Sequence, residues 1–415
     1  MNKLKIGVFG ITRGVAYAIG TKHYKEVELV AICDRLEDQV EKAKLKLNDP
    51  KITYYANFDD FINHDMDIVV LANYATEHAP YAIRCLEKGI NVISELLPFQ
   101  NMKEAVALVE AVEKSGKIYS YAENCCYMPA PMEMKRLYEQ GKIGEFLYGE
   151  CEYLHDGKFY VHNYGDPTHW RTWMYSTFYC THSLGPIIHA TGLRPVSVTG
   201  FELPVTAKCV RNGKRCGQAG IEMVTLENGA IIKSTHGALP HYSLWWNMQG
   251  TKGSMESARY NQQYGDVARI FVNANAEEDI EENEVVTYLV KTNEASKDSG
   301  HGGSDFFILD NMIAKIKGEP ADMIDIYEAC DMFLPGMFAF RSLLNGGVPT
   351  EIPNMRKKED REKWRNDTSC TDAKVAGDML WPTHHLGTPD IPTSVWEDLQ
   401  KKWQEYSKQE IESLK

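Results

Sequence analysis

Between residue 4 and about residue 122, short apolar β-branched runs alternate with stretches that place apolar residues at helical spacing. This alternation constrains the fold most strongly, because strand, helix and parallel strand pack back on one sheet with essentially one handedness. Lys5 to Phe9, Val27 to Cys33, Asp67 to Ala72 and Asn91 to Ser94 read as strands. Thr76 to Lys88 and Lys103 to Ser115 read as helices, with Lys88-Gly89 and Ser115-Gly116 as their ends. Residues 1–122 are therefore expected to form a doubly wound parallel sheet.

After Glu123 the pattern changes to longer alternating segments: Phe146 to Leu154, Val196 to Leu203, Gly220 to Leu226, Ala230 to Thr235 and Val285 to Val290. Period-two runs broken by Gly and Asn turns predict a large, mostly antiparallel open sheet with one face covered. Helical periodicity returns from Asp305 to Leu344, so residues 123–355 read as an α+β substrate domain. Residues 356–415 form an extension, polar, tryptophan-containing and irregular until an amphipathic helix from Val395 to Leu414. At 415 residues, two closely packed domains are the natural expectation, and the class is α/β.

A net charge of -13 argues against nucleic acid, which is bound through clustered Lys and Arg. No apolar run is long enough to span a membrane. Met1 to Lys5 leads straight into Ile6-Gly7-Val8-Phe9 without an apolar signal core, so a cytoplasmic location is expected. The ten cysteines lack CxxC pairing and read as reduced thiols. His384-His385 is the nearest approach to a metal motif, but adjacent histidines point apart on most backbones, and no metal is expected.

The segment Gly7-Val8-Phe9-Gly10-Ile11-Thr12-Arg13-Gly14 lies where the first strand hands over to a helix. Backbone N–H groups and the helix dipole hold a pyrophosphate at such a turn. Gly10 and Gly14 keep part of a GxGxxG pattern, while Thr12 and Arg13 occupy the region of its second glycine. Asp34, ending the second strand, can accept from both hydroxyls of an adenosine ribose, which favours NAD over NADP. Arg35 is placed to stack on adenine or, as the lesser reading, to pair with a 2′-phosphate. Asn73-Tyr74-Ala75-Thr76-Glu77-His78 follows the central strand at the carboxyl edge, which adds Asn73 and His78 to the expected cofactor site. Together these predict a Rossmann NAD-binding domain.

In this order of strand, glycine turn, acidic residue, Asn-x-x-x-x-His and Glu-x-x-Pro, the chain resembles the Gfo/Idh/MocA oxidoreductases up to about residue 355. Typical members carry Glu-Lys-Pro with a lysine base, and an Asp-x-x-x-His-x-x-Asp pattern. Here Glu95-Leu96-Leu97-Pro98 lacks the lysine, and the second pattern reads Phe178, His182 and Gly185. Within the family the chain looks most like the NAD-dependent glycoside hydrolases of family 109, the α-N-acetylgalactosaminidase type. The shared segments are Glu123-Asn124-Cys125-Cys126-Tyr127, Glu152-Tyr153-Leu154-His155-Asp156, Trp170-Arg171, Tyr179-x-Thr181-His182-x-Leu184-Gly185-Pro186-Ile187, His241-Tyr242-Ser243 and Gly300-His301-Gly302-Gly303.

The resemblance implies a redox-assisted elimination rather than hydrolysis by two carboxylates. The sugar is oxidised transiently at C3 with NAD, a base removes the acidified C2 proton, the C1 substituent leaves, water adds, and the ketone is reduced again. By carry-over, His182 and Tyr179 would serve the C3 hydroxyl, and Tyr153 would assist at C2 or the leaving oxygen. A neutral histidine suits the first role because it titrates near working pH. Glu123, Arg171, Tyr242 and His301 match substrate-orienting positions. Glu95, Asn124, Trp170 and Arg171 join the implied cofactor contacts.

Other readings remain at this level. A sugar, glycoside 3- or inositol-type dehydrogenase would use His182 in place of lysine and release a keto product. A non-enzymatic NAD-binding sensor would leave Tyr179, His182, Tyr153 and Arg171 without a reason to assemble. The aromatic stretch Tyr160 to Trp173 reads as a sugar-stacking loop or a dimer contact. A small-molecule sugar or glycoside is the expected partner. A homo-oligomer is expected too, paired through the exposed face of the open sheet, with the tail from Met355 as a candidate cover for a partner's site.

Overall fold

A computed structural model describes residues 3–155, 159–240, 242–259, 268–273, 285–291, 296 and 299–414, without the side chains of 159 and 160. Asp156 and His241, quoted above, lie outside the described residues, as does the Tyr160 side chain. The N-terminal sheet has six parallel strands: β1 (Leu4–Phe9), β2 (Val27–Cys33), β3 (Thr53–Tyr55), β4 (Ile68–Leu71), β5 (Asn91–Ser94) and β6 (Tyr119–Tyr121). Their order is β3-β2-β1-β4-β5-β6. The order reverses between β1 and β4, so the crevice at the carboxyl ends of those strands is the binding edge of such a sheet.

The four residues of β4 are all buried, as a near-continuous apolar strand covered on both faces requires. The Met102–Ser115 helix opens on Asn101, whose side chain accepts from the Glu104 N–H, and ends on Gly116 with φ 63°. The helix expected from Thr76 begins instead as a 3₁₀ turn, Ala75–Glu77, and becomes α-helical over His78–Glu87.

The second sheet has nine strands: β7 (Phe146–Leu154), β8 (Pro195–Glu202), β9 (Ala219–Leu226), β10 (Ile231–Gly237), β11 (Ser243–Gly250), β12 (Ser254–Ser257), β13 (Arg269–Asn273), β14 (Val286–Leu289) and β15 (Thr350–Glu351). Their order is β14-β13-β12-β11-β7-β10-β9-β8-β15, antiparallel except for the β7/β10 pair. The connection between that parallel pair carries the Thr181–Thr191 helix, which packs on β7, β10 and β11. This helix is buried over Thr181 to Ala190 although it contains Pro186. The Ser183 hydroxyl lies 2.8 Å from that of Ser234, and the Trp246 indole donates to the Ser183 carbonyl at 3.0 Å.

The Ile326–Leu344 helix packs on β8, β6 and the Met102–Ser115 helix, so it joins the two sheets. The extension is more ordered than its sequence suggests. A helix over Lys358–Trp364 docks on Met102–Ser115, with Arg361 on Glu113 at 2.8 Å, and the following Arg365 clasps Glu110 bidentately at 2.7 and 2.9 Å. The last helix spans Thr393–Leu414. All ten cysteines are free and buried. Among the described residues no helix is long and apolar enough to cross a membrane.

Candidate active site

One cavity runs from the carboxyl ends of β1, β2 and β4 to the inner face of the second sheet. At its first end Gly10 has φ 90°, and a Cβ there would overlap the Ala72 carbonyl and the Asn73 nitrogen. Only glycine lets the β1 turn approach β4 so closely. Gly14 serves packing instead: a Cβ would strike Val8, so the helix lies directly on its strand. Thr12 lines the cavity, and its hydroxyl donates to Gln39 at 3.1 Å.

Asp34 faces the cavity from the tip of β2, with one oxygen accepting from Ile11 N–H at 2.8 Å and the other from Leu36 N–H at 2.9 Å. Burial raises its pKa, opposed by these two backbone donors. Each oxygen keeps a lone pair for a ribose hydroxyl. The Arg35 guanidinium lies 3.9 Å above the Tyr74 ring and pairs with Glu77 at 3.1 Å, which makes a ready platform beside Asp34. Asn73 lines the cavity with a buried Oδ1 that has no hydrogen-bond partner. The glycine cradle, the ribose-directed carboxylate and this orphaned oxygen fit an NAD molecule.

His78 does not reach the cavity. Its ring is buried with Nδ1 2.9 Å from the Leu97 carbonyl and Nε2 3.3 Å from the Asn73 carbonyl, so it fixes the backbone behind the site. Arg13 is held by Asp305 at 2.7 and 2.9 Å and by Glu95 at 2.6 Å, and Glu95 also accepts from Tyr17 at 2.8 Å. This four-residue cluster joins the two domains beside the cavity. Asp305 went unnoticed in the sequence, although His301 and Asp305 stand at i and i+4 and their side chains meet at 3.2 Å.

At the other end the start of the Thr181–Thr191 helix presents His182. Its Nδ1 lies 2.7 Å from an oxygen of Glu123, which is fully buried, and 3.3 Å from Cys125 Sγ. A proton on Nδ1 shared with this carboxylate fixes the tautomer and leaves Nε2 as an acceptor. Glu123, expected to orient substrate, stands behind His182 and off the cavity wall; its other neighbour is the Cys125 N–H at 3.1 Å. Tyr153 and Tyr179 flank the imidazole with ring centroids 4.4 and 5.1 Å away. Burial raises both phenol pKa values, so both stay protonated. The Arg171 guanidinium lies over Trp170 at 4.4 Å and Tyr179 at 5.3 Å.

Asn124, Trp170, Arg171 and His301 line the cavity as well. Tyr242 lies one layer back, its ring 5.5 Å from His155, which does line it. Lys214 and His236 were missed by sequence reasoning. Nothing local marks them: Lys214 follows the short helix Ala207–Arg211 in the connection from β8 to β9, and His236 lies on β10.

Two side-chain clusters among the described residues could hold a metal ion by proximity: Glu123, Cys125 and His182, and Glu202, His384 and His385. The first is the carboxylate–imidazole pair already described. The second corrects the expectation that His384 and His385 point apart. Their rings lie 4.5 Å from each other and both face Glu202, His385 Nδ1 at 2.9 Å and His384 Nε2 at 3.6 Å, because the turn there is not helical. Leu386 N–H donates to His384 Nδ1 at 3.2 Å, which puts the imidazole proton on Nε2, toward the carboxylate. The Glu202 oxygen is hydrogen-bonded by His385 through its N–H at 3.1 Å and its Nδ1 at 2.9 Å, whereas the buried His384 Nε2 has no hydrogen-bond partner.

The fold and the site define a two-domain enzyme of the Gfo/Idh/MocA type. Residues 4–123 match the oxidoreductase family with an NAD-binding Rossmann fold. Residues 215–366 match the C-terminal domain of glycosyl hydrolase 109, so this chain is a Gfo/Idh/MocA oxidoreductase that carries the family 109 C-terminal domain. A glycosyl hydrolase family 109 protein of Solibacter usitatus (strain Ellin6076) is 24% identical over 404 residues, covering 87% of this chain and 89% of its own. Among solved structures, levoglucosan dehydrogenase in complex with NADH superposes with TM-score 0.69 at 16% identity, over 85% of this chain and all of its own. The myo-inositol 2-dehydrogenase of Lactobacillus plantarum superposes with TM-score 0.64 at 18% identity, over the same shares. At these identities the two structures establish a shared fold.

Proposed function

We propose that the protein cleaves glycosides through transient oxidation of the sugar at C3, with NAD held at the Gly10, Asp34 and Asn73 end of the cavity. The observation that carries this reading is the buried Glu123–His182 pair, 2.7 Å apart, with two protonated tyrosines beside the imidazole. Bound NAD supplies reversible oxidation of the substrate carbon, which makes the neighbouring C2–H acidic.

His182 Nε2 accepts the proton of the 3-hydroxyl, and Glu123 stabilises the imidazolium that forms. Tyr179 donates to the C3 oxygen as it gains carbonyl character. Arg171, stacked on Tyr179, holds that phenol in place. Tyr153, whose phenol is held protonated by burial, gives that proton to the departing C1 oxygen and takes the C2 proton on the same oxygen, so the phenol is regenerated as the C2–H and C1–O bonds break. Asp34 accepts the adenosine ribose hydroxyls, which favours NAD over the 2′-phosphorylated form.

The test is turnover of 4-nitrophenyl α- and β-glycosides by purified protein without added cofactor, followed at the phenolate and NADH bands. Phenol release without net NADH, together with solvent deuterium at C2 of the product, is the expected result. Stoichiometric NADH, formed only when NAD⁺ is added and with the glycosidic bond intact, would overturn it in favour of a dehydrogenase.

A further inference from the structure

The second sheet brings polar side chains to one part of the cavity without pairing them. His236, on β10, stands opposite Tyr153 of β7 on one side and Gly220 of β9 on the other. Residues opposite each other on neighbouring strands present their side chains to the same face, so the imidazole lies beside the Tyr153 phenol. Both line the cavity, as does Ser176. Gly220 has no side chain, and a Cβ there would come within 2.8 Å of the Ser176 carbonyl oxygen, so the Ser176–Thr177 backbone descends onto the sheet next to His236. Thr177 pins that segment by donating from Oγ1 to the Gly336 carbonyl at 2.7 Å.

His236 is 2% exposed and Ser176 7%, yet neither imidazole nitrogen nor the Ser176 hydroxyl has a hydrogen-bond partner among the described residues. The Ser176 backbone approaches the ring closely enough to favour its charged form without reaching hydrogen-bond geometry. Off the cavity wall, Oε1 of the fully buried Glu222 lies 4.0 Å from His236 Nε2, too far for a direct hydrogen bond, and neither carboxyl oxygen is hydrogen-bonded among the described residues.

Buried polar groups in folded proteins are satisfied by protein or by ordered water, and a buried water takes about two to four polar partners. Burial pushes His236 down to about 3 and Glu222 well above the ordinary carboxylate range, so both are neutral at working pH. They offer donors and acceptors without a charge that would favour an ion over water.

We propose that His236 and Ser176 hold the water that adds at C1 after the aglycone has left. The inference rests on the reading of the cavity as a site of glycoside cleavage through C3 oxidation. The water lies beside Tyr153, the group that acts at C1 and C2. Its oxygen bonds to C1 of the enone while one of its O–H bonds breaks. That proton passes to the Tyr153 oxygen as the phenol gives its own proton to C2, so the phenol is regenerated and the C1–C2 double bond is lost. Hydration is thus the elimination run backwards with water in place of the aglycone, and His236 keeps its neutral form throughout.

The experiment uses the full chain with its cofactor bound. Stopped flow records phenolate and NADH during a single turnover of a 4-nitrophenyl glycoside by wild type, His236→Leu, His236→Gln and Ser176→Ala. Phenolate reports elimination, and the return of NADH to NAD⁺ follows hydration. In His236→Leu and Ser176→Ala, phenolate release is expected to keep its rate while NADH return slows at least about tenfold, the loss of one hydrogen bond to the water. His236→Gln, which keeps a donor and an acceptor, should recover part of that loss. Equal slowing of both signals, or undiminished NADH return, overturns the water site, and Ser176→Ala decides alone if the histidine variants do not fold. A second assay supplies the C1–C2-unsaturated 3-ketosugar to NADH-loaded protein and measures the hydrated product. Hydration by a protein that cleaves no glycoside, lost in both variants, would support the water site and sink the cleavage reading. Glycoside cleavage without net NADH, with both variants hydrating the ketosugar at the wild-type rate, would do the reverse.

Discussion

Removing the carboxylate behind His182 tests the site at a single atom. In Glu123→Gln the Nδ1–H loses an ionic acceptor and the imidazolium its partner, while side-chain volume is kept. The expected loss in kcat is about 10²- to 10⁴-fold, in the range of a displaced general base. NAD affinity measured by fluorescence titration should stay unchanged, and a drop in both quantities would instead make Glu123 a structural residue. At this scale the grouping of residues was more legible than their relations. That His182, Tyr179 and Tyr153 belong together was legible because they lie in distinctive segments, and their rings do meet at one end of the cavity. The part played by Glu123 was not, since it is separated from His182 by 59 residues and the two meet only through the packing of the Thr181–Thr191 helix. His78 was misplaced for a related reason: a histidine after a central strand can face the crevice or its backing, and only the hydrogen bonds to Leu97 and Asn73 decide which.

Helix termini carry the next prediction. Arg13, in the first turn of the Ile11–Gly20 helix, meets Asp305, in the first turn of the Ser304–Lys317 helix. Burial would raise the Asp305 carboxyl, but His301 and the Arg13 guanidinium hold it well below the ordinary carboxylate range. A depressed carboxyl contributes stability above its unfolded pKa, about 3.9, and that contribution is lost as pH falls through the folded value. Asp305→Asn leaves Arg13 with Glu95 alone. Breaking one side of a buried pair costs about 3–5 kcal/mol. Urea unfolding should show the full difference from wild type at neutral pH and a shrinking one below about pH 4. A pH-independent difference would assign the loss to packing. Elements were legible where the pattern was long. The strands at Val27–Cys33, Asn91–Ser94 and Phe146–Leu154 have the bounds expected. Thr53–Tyr55 and Tyr119–Tyr121 are too short to show a period, and Gly185-Pro186 hid a helix that burial imposes over the propensity of its residues.

The division into a Rossmann domain and a sheet domain followed from the change of periodicity near Glu123, but nothing in a polar tail says where it docks. Its tryptophans pack on its own chain: Trp364 on Phe338, Trp381 on Tyr175, Trp396 beneath Arg215, and Trp403 on Tyr164. The Thr393–Leu414 helix thereby touches three parts of the molecule at once. Glu410 pairs with Lys42 of the Rossmann helix Glu37–Leu47 at 2.8 Å, Gly165 lies against the backbone at Gln400, and Gly213 lies against Trp396. The last two glycines border the cavity residues Tyr164 and Lys214. A helix joined to both domains and to two cavity loops should restrain those loops more than it stabilises either core. A chain ending at residue 392 is therefore expected to keep its far-ultraviolet dichroism, to melt at lower temperature, and to show a raised KM with kcat largely retained. Unchanged KM and melting would mean that the helix is a passive cover. The same truncation decides whether the helix serves a partner instead: adding a full-length His182→Asn chain, inactive in its own site, should not restore the low KM if the helix acts on the chain that carries it.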